Sequence, residues 1–478
     1  MSVRYVAVVG AGAAGLTAAL RAAEGGARVT LLNAHPRIGL KILMSGGTRC
    51  NVTHRQVSER DFHGGSRAVV RRILAAFTPE QTLRWFADLG VELKLEETGK
   101  YFPVTDDAQT VLDALLGTCE RAGVEFQAGR RVVRLERCAC AEAEPAGGGG
   151  AGGRGRGARG GGGGAGRGAG AAGAATAGGR TDLAPRWRLG IEHIRDSAAL
   201  GAAVAAPGRT EWPLPPREPD EWLEADAVVL ASGGLSFPRT GSDGTGYAMA
   251  LALGHTLVPP VPALTPLMSD DPLCARAQGV TLEAELTLRA AGERVAQVRG
   301  SLLFAHFGYT GPAALDLSRH WHRWEGSARH VVANFAPDWR REKLDRAWVD
   351  SAVRDRHARV GQWLNELVPS RIGDLLCAQV GVARDGLSSQ VPREVRRRLL
   401  DALTARDLHV SGTLGYEKAE VTAGGVTLAE VDPSTLESRK ARGVYLCGEM
   451  LDVEGRLGGF NFQWSWSSGT VAGRAAGR

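Results

Sequence analysis

The sequence predicts an α/β fold built on a parallel sheet and interrupted by a separate β-rich and helical unit. Three observations carry this. The chain opens on "RYVAVVGAGAAGLTAAL", an apolar run, a glycine turn and a helix-like run in that order. Apolar strand-like runs return far downstream, in "ADAVVLASGG" (225–234) and "GVYLCGEM" (443–450). Between them, residues 260–415 change character, to polar-alternating strands such as "VTLEAELTLRA" and charged helices such as "EVRRRLLDALTA".

Five segments follow. Residues 1–140 alternate strand-like and helix-like runs. Residues 141–185 are almost entirely Gly, Ala and Arg, with nothing to bury, and read as a disordered insertion between the strands "RRVVRLERC" (130–138) and "RWRLGIEH" (186–193). Residues 186–259 return to α/β, residues 260–415 form the inserted unit, and residues 416–478 rejoin the first sheet through the apolar strand near 445.

The bulk numbers exclude some classes. The net charge of +6 includes Arg154, Arg156, Arg159, Arg167 and Arg180 of the low-complexity stretch, so the folded part is closer to neutral and no nucleic-acid partner is expected. Seven dispersed cysteines without a C-x-x-C suit a reducing cytoplasm and no metal site. A strand begins almost at residue 1 and no apolar run spans a bilayer, so a cytoplasmic protein without a leader or membrane span is expected.

The first motif is a dinucleotide fingerprint. Gly10, Gly12 and Gly15 match G-x-G-x-x-G between the strand Tyr5–Val9 and a helix beginning near Ala13. The first glycine makes the tight turn, the second admits a pyrophosphate to the backbone, and the third packs helix on strand. Gly10, Ala11, Gly12, Ala13, Ala14 and Gly15 are therefore candidate phosphate-binding residues, under the positive end of the helix. The next strand, 29–32, ends in Asn33, where an acidic residue normally holds the ribose hydroxyls. An amide still donates to or accepts from a hydroxyl. Arg37 is close enough in sequence to meet a 2′-phosphate, which leaves NADP open.

The loop "LKILMSGGTRCNVTH" (40–54) points to FAD instead. A nicotinamide dehydrogenase needs only a short loop here. A long polar loop with a glycine pair suits a cofactor that continues through a ribityl chain to a three-ring flavin. Its candidates are Lys41, Ser45, Gly46, Gly47, Arg49, Cys50 and Asn51. Ser232, Gly233 and Gly234 end an apolar strand, where ligands of open α/β sheets bind. Gly448 and Glu449 end the last strand, and the carboxylate suits a ribityl hydroxyl. Gly458, Gly459, Phe460 and Asn461 open a helix whose N-terminus would stabilise negative charge on a flavin pyrimidine ring.

"VVGAGAAGL", "KILMSGGTRCNVT", "ASGGLSFPRTGSDGTGYAMA", "LLFAHFGYTGPAALDLS", "EVTAGGVTLAEVDPSTLESR" and "GVYLCGEMLDVEGRLGGFNFQWSWSSG" together resemble the aminoacetone-oxidase-like FAD-binding flavoproteins, a group that includes bile-acid flavin reductases. The resemblance spans the chain except 141–220. It implies a Rossmann-type FAD-binding domain of the glutathione-reductase kind, interrupted by a β-barrel-like piece and a small helical piece. It also implies non-covalent FAD on the residues just named. Two positions depart: the family usually has Glu at Asn33 and Gly at Thr48.

The expected activity is an FAD-dependent oxidoreductase passing a hydride or two electrons between a small organic substrate and flavin N5. NAD(P)H, as a transient donor, oxygen or another acceptor would reset the flavin. A flavoenzyme acting on RNA and a non-enzymatic flavin-binding protein are the alternatives. No catalytic base stands out; His306 and Cys50 are the candidates. Substrate and oligomeric state are not legible.

Overall fold

The computed structural model describes residues 3–138, 186–205, 214–324 and 328–478. The Gly/Ala/Arg-rich segment 141–185 lies outside the described residues.

Five parallel strands form the central sheet, in the order Val444–Leu446, Ala227–Leu230, Tyr5–Val9, Arg28–Asn33, Glu125–Ala128. The three neighbours at 444–446, 227–230 and 5–9 are nearly pure Val, Ala and Leu because both of their faces are covered. Val6, Ala7, Val8, Val228, Val229 and Leu446 are fully buried. A second, antiparallel sheet of three strands, Arg130–Arg137, Trp187–His193 and Glu221–Ala225, lies beside it.

One helix pair ties the two ends of the chain together. The helix Ala13–Glu24 follows the first strand, and the helix Phe460–Ala476 closes the chain. Their contact repeats every four residues, one side of a helix. A methyl added at Gly469, Gly473 or Gly477 would stand 2.6, 2.3 or 2.7 Å from the carbonyl oxygen of Ala14, Ala18 or Ala22. Backbone meets backbone, so only glycine fits on one side and alanine on the other. The order of these contacts makes the helices parallel, and both N-termini face the same way. Gly12 lies two residues before Ala14, while Gly459 lies ten before Gly469. The C-terminal helix therefore starts eight residues further out, about 12 Å at 1.5 Å per residue.

The inserted unit has its own core. Its antiparallel sheet runs Arg406–Asp407, Arg329–Asn334, Thr281–Ala290, Glu293–Ala305, Gly308–Thr310, Leu267–Ser269, Val410–Thr413. The two edge strands are separated in the chain by only Leu408 and His409. Three Cα steps span at most about 11 Å, so the sheet curls until its edges approach. Helices Arg341–Arg354, Ser370–Val380 and Arg393–Thr404 cover a core of Leu286, Phe304, Phe335, Trp348, Leu376 and Leu400. The chain enters this unit along Leu257–Ala263 and returns along Val421–Val426, and these two strands pair with each other. No helix among the described residues is long and apolar enough to cross a membrane.

The helix Pro312–Arg323 joins the insert to the rest. Asp316 Oδ1 accepts from the backbone N–H of Leu457 at 2.8 Å, and Arg323 donates to the Pro259 carbonyl at 3.1 Å. Arg319 Nη2 stands 2.5 Å from Glu454 Oε1. Burial dominates there: it pushes the Glu454 carboxyl up to about 7 against the pull of Arg319.

The helix pair makes a prediction. Ala is normally the better helix former by about 1 kcal/mol. At Gly473 the added methyl would collide with Ala18 backbone, which cannot rotate away. Gly473→Ala should therefore destabilise the protein by roughly 1–3 kcal/mol in urea unfolding. A stability gain would refute the close approach.

Candidate functional site

The turn after the first strand assigns the three fingerprint glycines different tasks. Gly10 has φ +103° and donates its N–H to Leu32 O at 2.8 Å. A Cβ on Gly15 would lie 1.8 Å from Gly10 O, so this position closes helix onto turn. Gly12 is in extended conformation, and a Cβ there would meet nothing within 4 Å. Its open side faces a trough.

That trough has a volume of about 440 Å³ and runs along the C-terminal ends of the parallel strands. Gly10, Ala11, Gly12, Ala13 and Ala14 line one stretch of it. Asn33 and Arg37 lie at one end, and Lys41, Ser45, Gly46, Gly47, Arg49 and Asn51 form a wall. Ser232, Gly233, Glu449, Gly458, Gly459 and Asn461 complete the set that the sequence singled out. Gly15, Cys50, Gly234, Gly448 and Phe460 do not line it. They are packed behind: a methyl on Gly234 would strike Thr422 Oγ1 at 2.4 Å, and one on Gly448 would strike Ala14 Cβ at 2.7 Å.

Two helices open onto the trough without side-chain caps. Neither Gly12 nor Gly459, the residues preceding them, supplies a capping side chain, and neither first turn holds an acidic residue. Free N–H groups and two positive helix ends therefore face one cavity, about 12 Å apart along the helix direction. Asn51 braces the second end: oriented to satisfy both groups, its amide accepts from Gly459 N–H and donates to Thr53 O, each at 3.0 Å.

Glu449 also lines the trough, with its carboxylate tightly held. Lys41 Nζ donates to Oε2 at 2.7 Å, Ser236 Oγ to Oε1 at 2.8 Å, and Thr422 N–H to Oε1 at 2.9 Å. Lys41 also donates to Ser236 Oγ at 2.7 Å. Arg49 lies over the Phe102 ring, 4.0 Å from its centroid, and pairs with Glu96 at 2.7 Å.

Asn33 does a different job from the acid it replaces. Its Oδ1 accepts from Ala11 N–H at 3.2 Å, and its Nδ2 donates to His35 O at 2.6 Å and Arg37 O at 3.3 Å. A carboxylate has no donors for those two carbonyls. Asn33 thus braces the 35–37 loop against the phosphate turn, and only an acceptor lone pair is left for a hydroxyl.

Neither catalytic candidate stands in the trough. His306 is exposed on the insert, at a strand turn beside Phe307. Cys50 is fully buried, and burial pushes its thiol up to about 12, which makes it a poor nucleophile. Thr48, where the resembling family has glycine, adopts φ +70°. A β-branched residue is strained there, which explains a preference for glycine.

Sequence reasoning missed several wall residues. Arg131, buried, pairs with the buried Asp243 and reaches Glu192 at 3.4 Å. Lys100, Phe102, Leu264, Glu420, Leu457 and Phe462 line the trough as well. Asp243 and Glu420 lie in stretches that carried the family resemblance; Arg131 and Lys100 had no such signal.

These groups would suit a dinucleotide with a flavin: an open backbone at Gly12, a held carboxylate at Glu449 and a second helix end at Gly459. A family model described as the HI0933-like protein Rossmann domain matches residues 4–143 and 216–475. The 3-dehydro-bile acid delta(4,6)-reductase of Clostridium scindens is 30% identical over 475 residues, 98% of each chain. The ribosomal RNA dihydrouridine synthase of Escherichia coli is 29% identical over 468 residues, covering 96% of this chain and 95% of that one. The solved 3-ketosteroid-delta4-(5alpha)-dehydrogenase of Rhodococcus jostii RHA1 aligns over 99% of this chain and 96% of its own, at 14% identity and a TM-score of 0.43.

Gly12 gives a test that separates binding from folding. Because a methyl there meets open space, Gly12→Ala should unfold within about 2 °C of the wild type. It should weaken FAD binding at least ~10-fold, about 1.4 kcal/mol, in a flavin fluorescence titration. Unchanged affinity would mean that the pyrophosphate does not cross Gly12.

Proposed function

The chain belongs to the HI0933-like Rossmann-domain family, and from that premise we propose an FAD-dependent oxidoreductase that reduces a polarised C=C bond in a small organic substrate. The observation that carries this is the single trough onto which the phosphate turn, the 41–51 loop, Glu449 and two uncapped helix ends open. Bound there, FAD would supply two-electron hydride chemistry.

The chain's own residues do the holding. Gly12, Ala13 and Ala14 would take the pyrophosphate, with Asn33 and Arg37 at the adenosine end. Glu449, fixed by Lys41 and Ser236, would take a ribityl hydroxyl. The helix end at Gly459 would stabilise negative charge on the pyrimidine ring. Cavity walls such as Leu264, Leu457 and Phe462 exclude water from the reacting end. The names "delta(4,6)-reductase" and "dihydrouridine synthase" both denote saturation of a ring C=C, which supports that reaction class. A reduced nicotinamide resets the flavin from solution. The division of the chain at 140, 186, 260 and 415, and a barrel-like form for the insert, belong to the same proposal.

A second substrate, uridine in ribosomal RNA, is favoured by the name of the Escherichia coli relative. One experiment separates the two. FAD-loaded protein is reduced anaerobically with NADH or NADPH and then mixed with cyclohex-2-enone, a steroid enone or a ribosomal RNA transcript. Flavin reoxidation by an enone, insensitive to salt, supports the small-molecule reading. Reoxidation by RNA alone, with steep salt dependence, supports the other. A flavin that none of the three reoxidises contradicts both.

A further inference from the structure

The helix Pro312–Arg323 uses two faces. Ala313, Ala314, Leu317 and Trp321 are buried in the core of the insert. Asp316, Arg319 and Arg323, spaced i, i+3 and i+7, form a polar stripe on another face. Arg323 donates to Pro259 O at 3.1 Å, Arg319 Nη2 stands 2.5 Å from Glu454 Oε1, and Asp316 Oδ1 accepts from Leu457 N–H at 2.8 Å. Two of the three contacts therefore land on 454–457, the segment that leads into Gly459 and the last helix.

That segment has little stiffness of its own. Gly458 and Gly459 are consecutive glycines with φ +131° and +89°, and glycine has the most backbone freedom to lose. Side chains and neighbouring backbone tie the turn down. Asn461 closes it on itself: Oδ1 accepts from Gly455 N–H at 2.8 Å and Nδ2 donates to Gly455 O at 2.9 Å. Arg456 N–H donates to Asp61 O at 3.0 Å, and Asn51 accepts from Gly459 N–H at 3.0 Å. Leu457 lies between these ties, and Asp316 takes its N–H. The Leu457 side chain belongs to a small apolar cluster with Leu264, Val421 and Leu315, and it lines the trough. One hydrogen bond from the insert thus fixes both a stretch of trough wall and the approach to an uncapped helix end.

Resting on the function proposed above, we propose that Asp316 is a positioning residue for that reaction: from the insert, it fixes Leu457 and with it the helix end at Gly459 against the flavin ring. Asp316 itself does not line the trough, so it acts through the turn. Negative charge on a reduced flavin is stabilised by the N–H groups that open the last helix only while they point at it. A turn centred on two glycines loses that aim without an anchor at Leu457. The bond asks only for an acceptor oxygen, so it holds whether the carboxyl is ionised or not. The insert thereby sets how tightly the reduced cofactor is held.

The test uses the full chain and two readouts. Hydrogen exchange of the turn 455–461 is followed by mass spectrometry in the flavin-free protein, and the flavin midpoint potential is measured by anaerobic spectral titration in the FAD-loaded protein. Asp316→Asn keeps the acceptor. Its turn should exchange like the wild type, and its potential should stay level or rise, because only a negative charge has gone. Asp316→Ala loses the acceptor, and its turn should exchange about 10-fold faster. Reduced flavin should then be held about 10-fold less tightly relative to oxidised flavin, a fall of about 30 mV. Asp316→Gln carries its oxygen one methylene further out; it should behave like Asp316→Ala and replaces it if that variant folds poorly. Loss of charge alone would raise the potential in all three variants, so a fall confined to Ala and Gln isolates positioning. A potential equal to or above wild type in those two, or unaltered exchange of the turn, overturns the assignment. If the wild type takes up no FAD, the proposed function fails, and exchange of the turn still decides whether Asp316 fixes it.

Discussion

The close approach of the first and last helices is the constraint on which the site depends. Gly469, Gly473 and Gly477 sit against the backbone of Ala14, Ala18 and Ala22. That contact leaves no room for side chains on one face, fixes the helices parallel, and sets their axial offset. The offset places one positive helix end at the phosphate turn and the other about 12 Å further out. An elongated, doubly electropositive trough follows from it, and a cofactor with a pyrophosphate in the middle and an electron-accepting ring at one end is complementary to that shape and charge. The chain termini are thus joined at the one place where the fold needs them together.

The polar groups along the trough are fixed before any ligand arrives. Glu449 is held by Lys41, Ser236 and Thr422, residues from three distant segments. Asn33 ties the phosphate turn to the next loop, and Asn51 ties the second helix end to the 53 strand. Such bracing lowers the ordering cost of binding. The insert is part of this. Through Asp316 it grips Leu457, two residues before the helix-capping Gly459, so the curled sheet and its helices bear on that part of the trough.

Much of the architecture was legible because local physics writes it plainly. Strands buried on both faces must be continuously apolar, and the Val-Ala-Leu runs at 5–9, 227–230 and 444–446 are. The fingerprint glycines occupy positions that demand a positive φ, an open face and a close packing, in that order. The period-four glycines of the last helix were equally visible, yet their meaning depends on a partner more than 400 residues away. Separation along the chain also hid the Lys41–Glu449 pair, 408 residues apart, and the Arg131–Asp243 pair, 112 apart. Asn33 was legible as a departure, but its function as a double donor needed the loop carbonyls in place. His306 and Cys50 are different, because neither lines the trough. Their chemistry suits catalysis, and the fold leaves the one exposed on the insert and the other fully buried.

The central claim is that one continuous trough is built for both halves of FAD. The direct measurement is calorimetric titration of flavin-free protein with FAD, FMN and ADP under identical conditions. The account predicts one FAD per chain and an affinity at least ~100-fold above that of either half alone, about 2.7 kcal/mol. FMN binding as tightly as FAD, or no flavin binding by a well-folded protein, would contradict it.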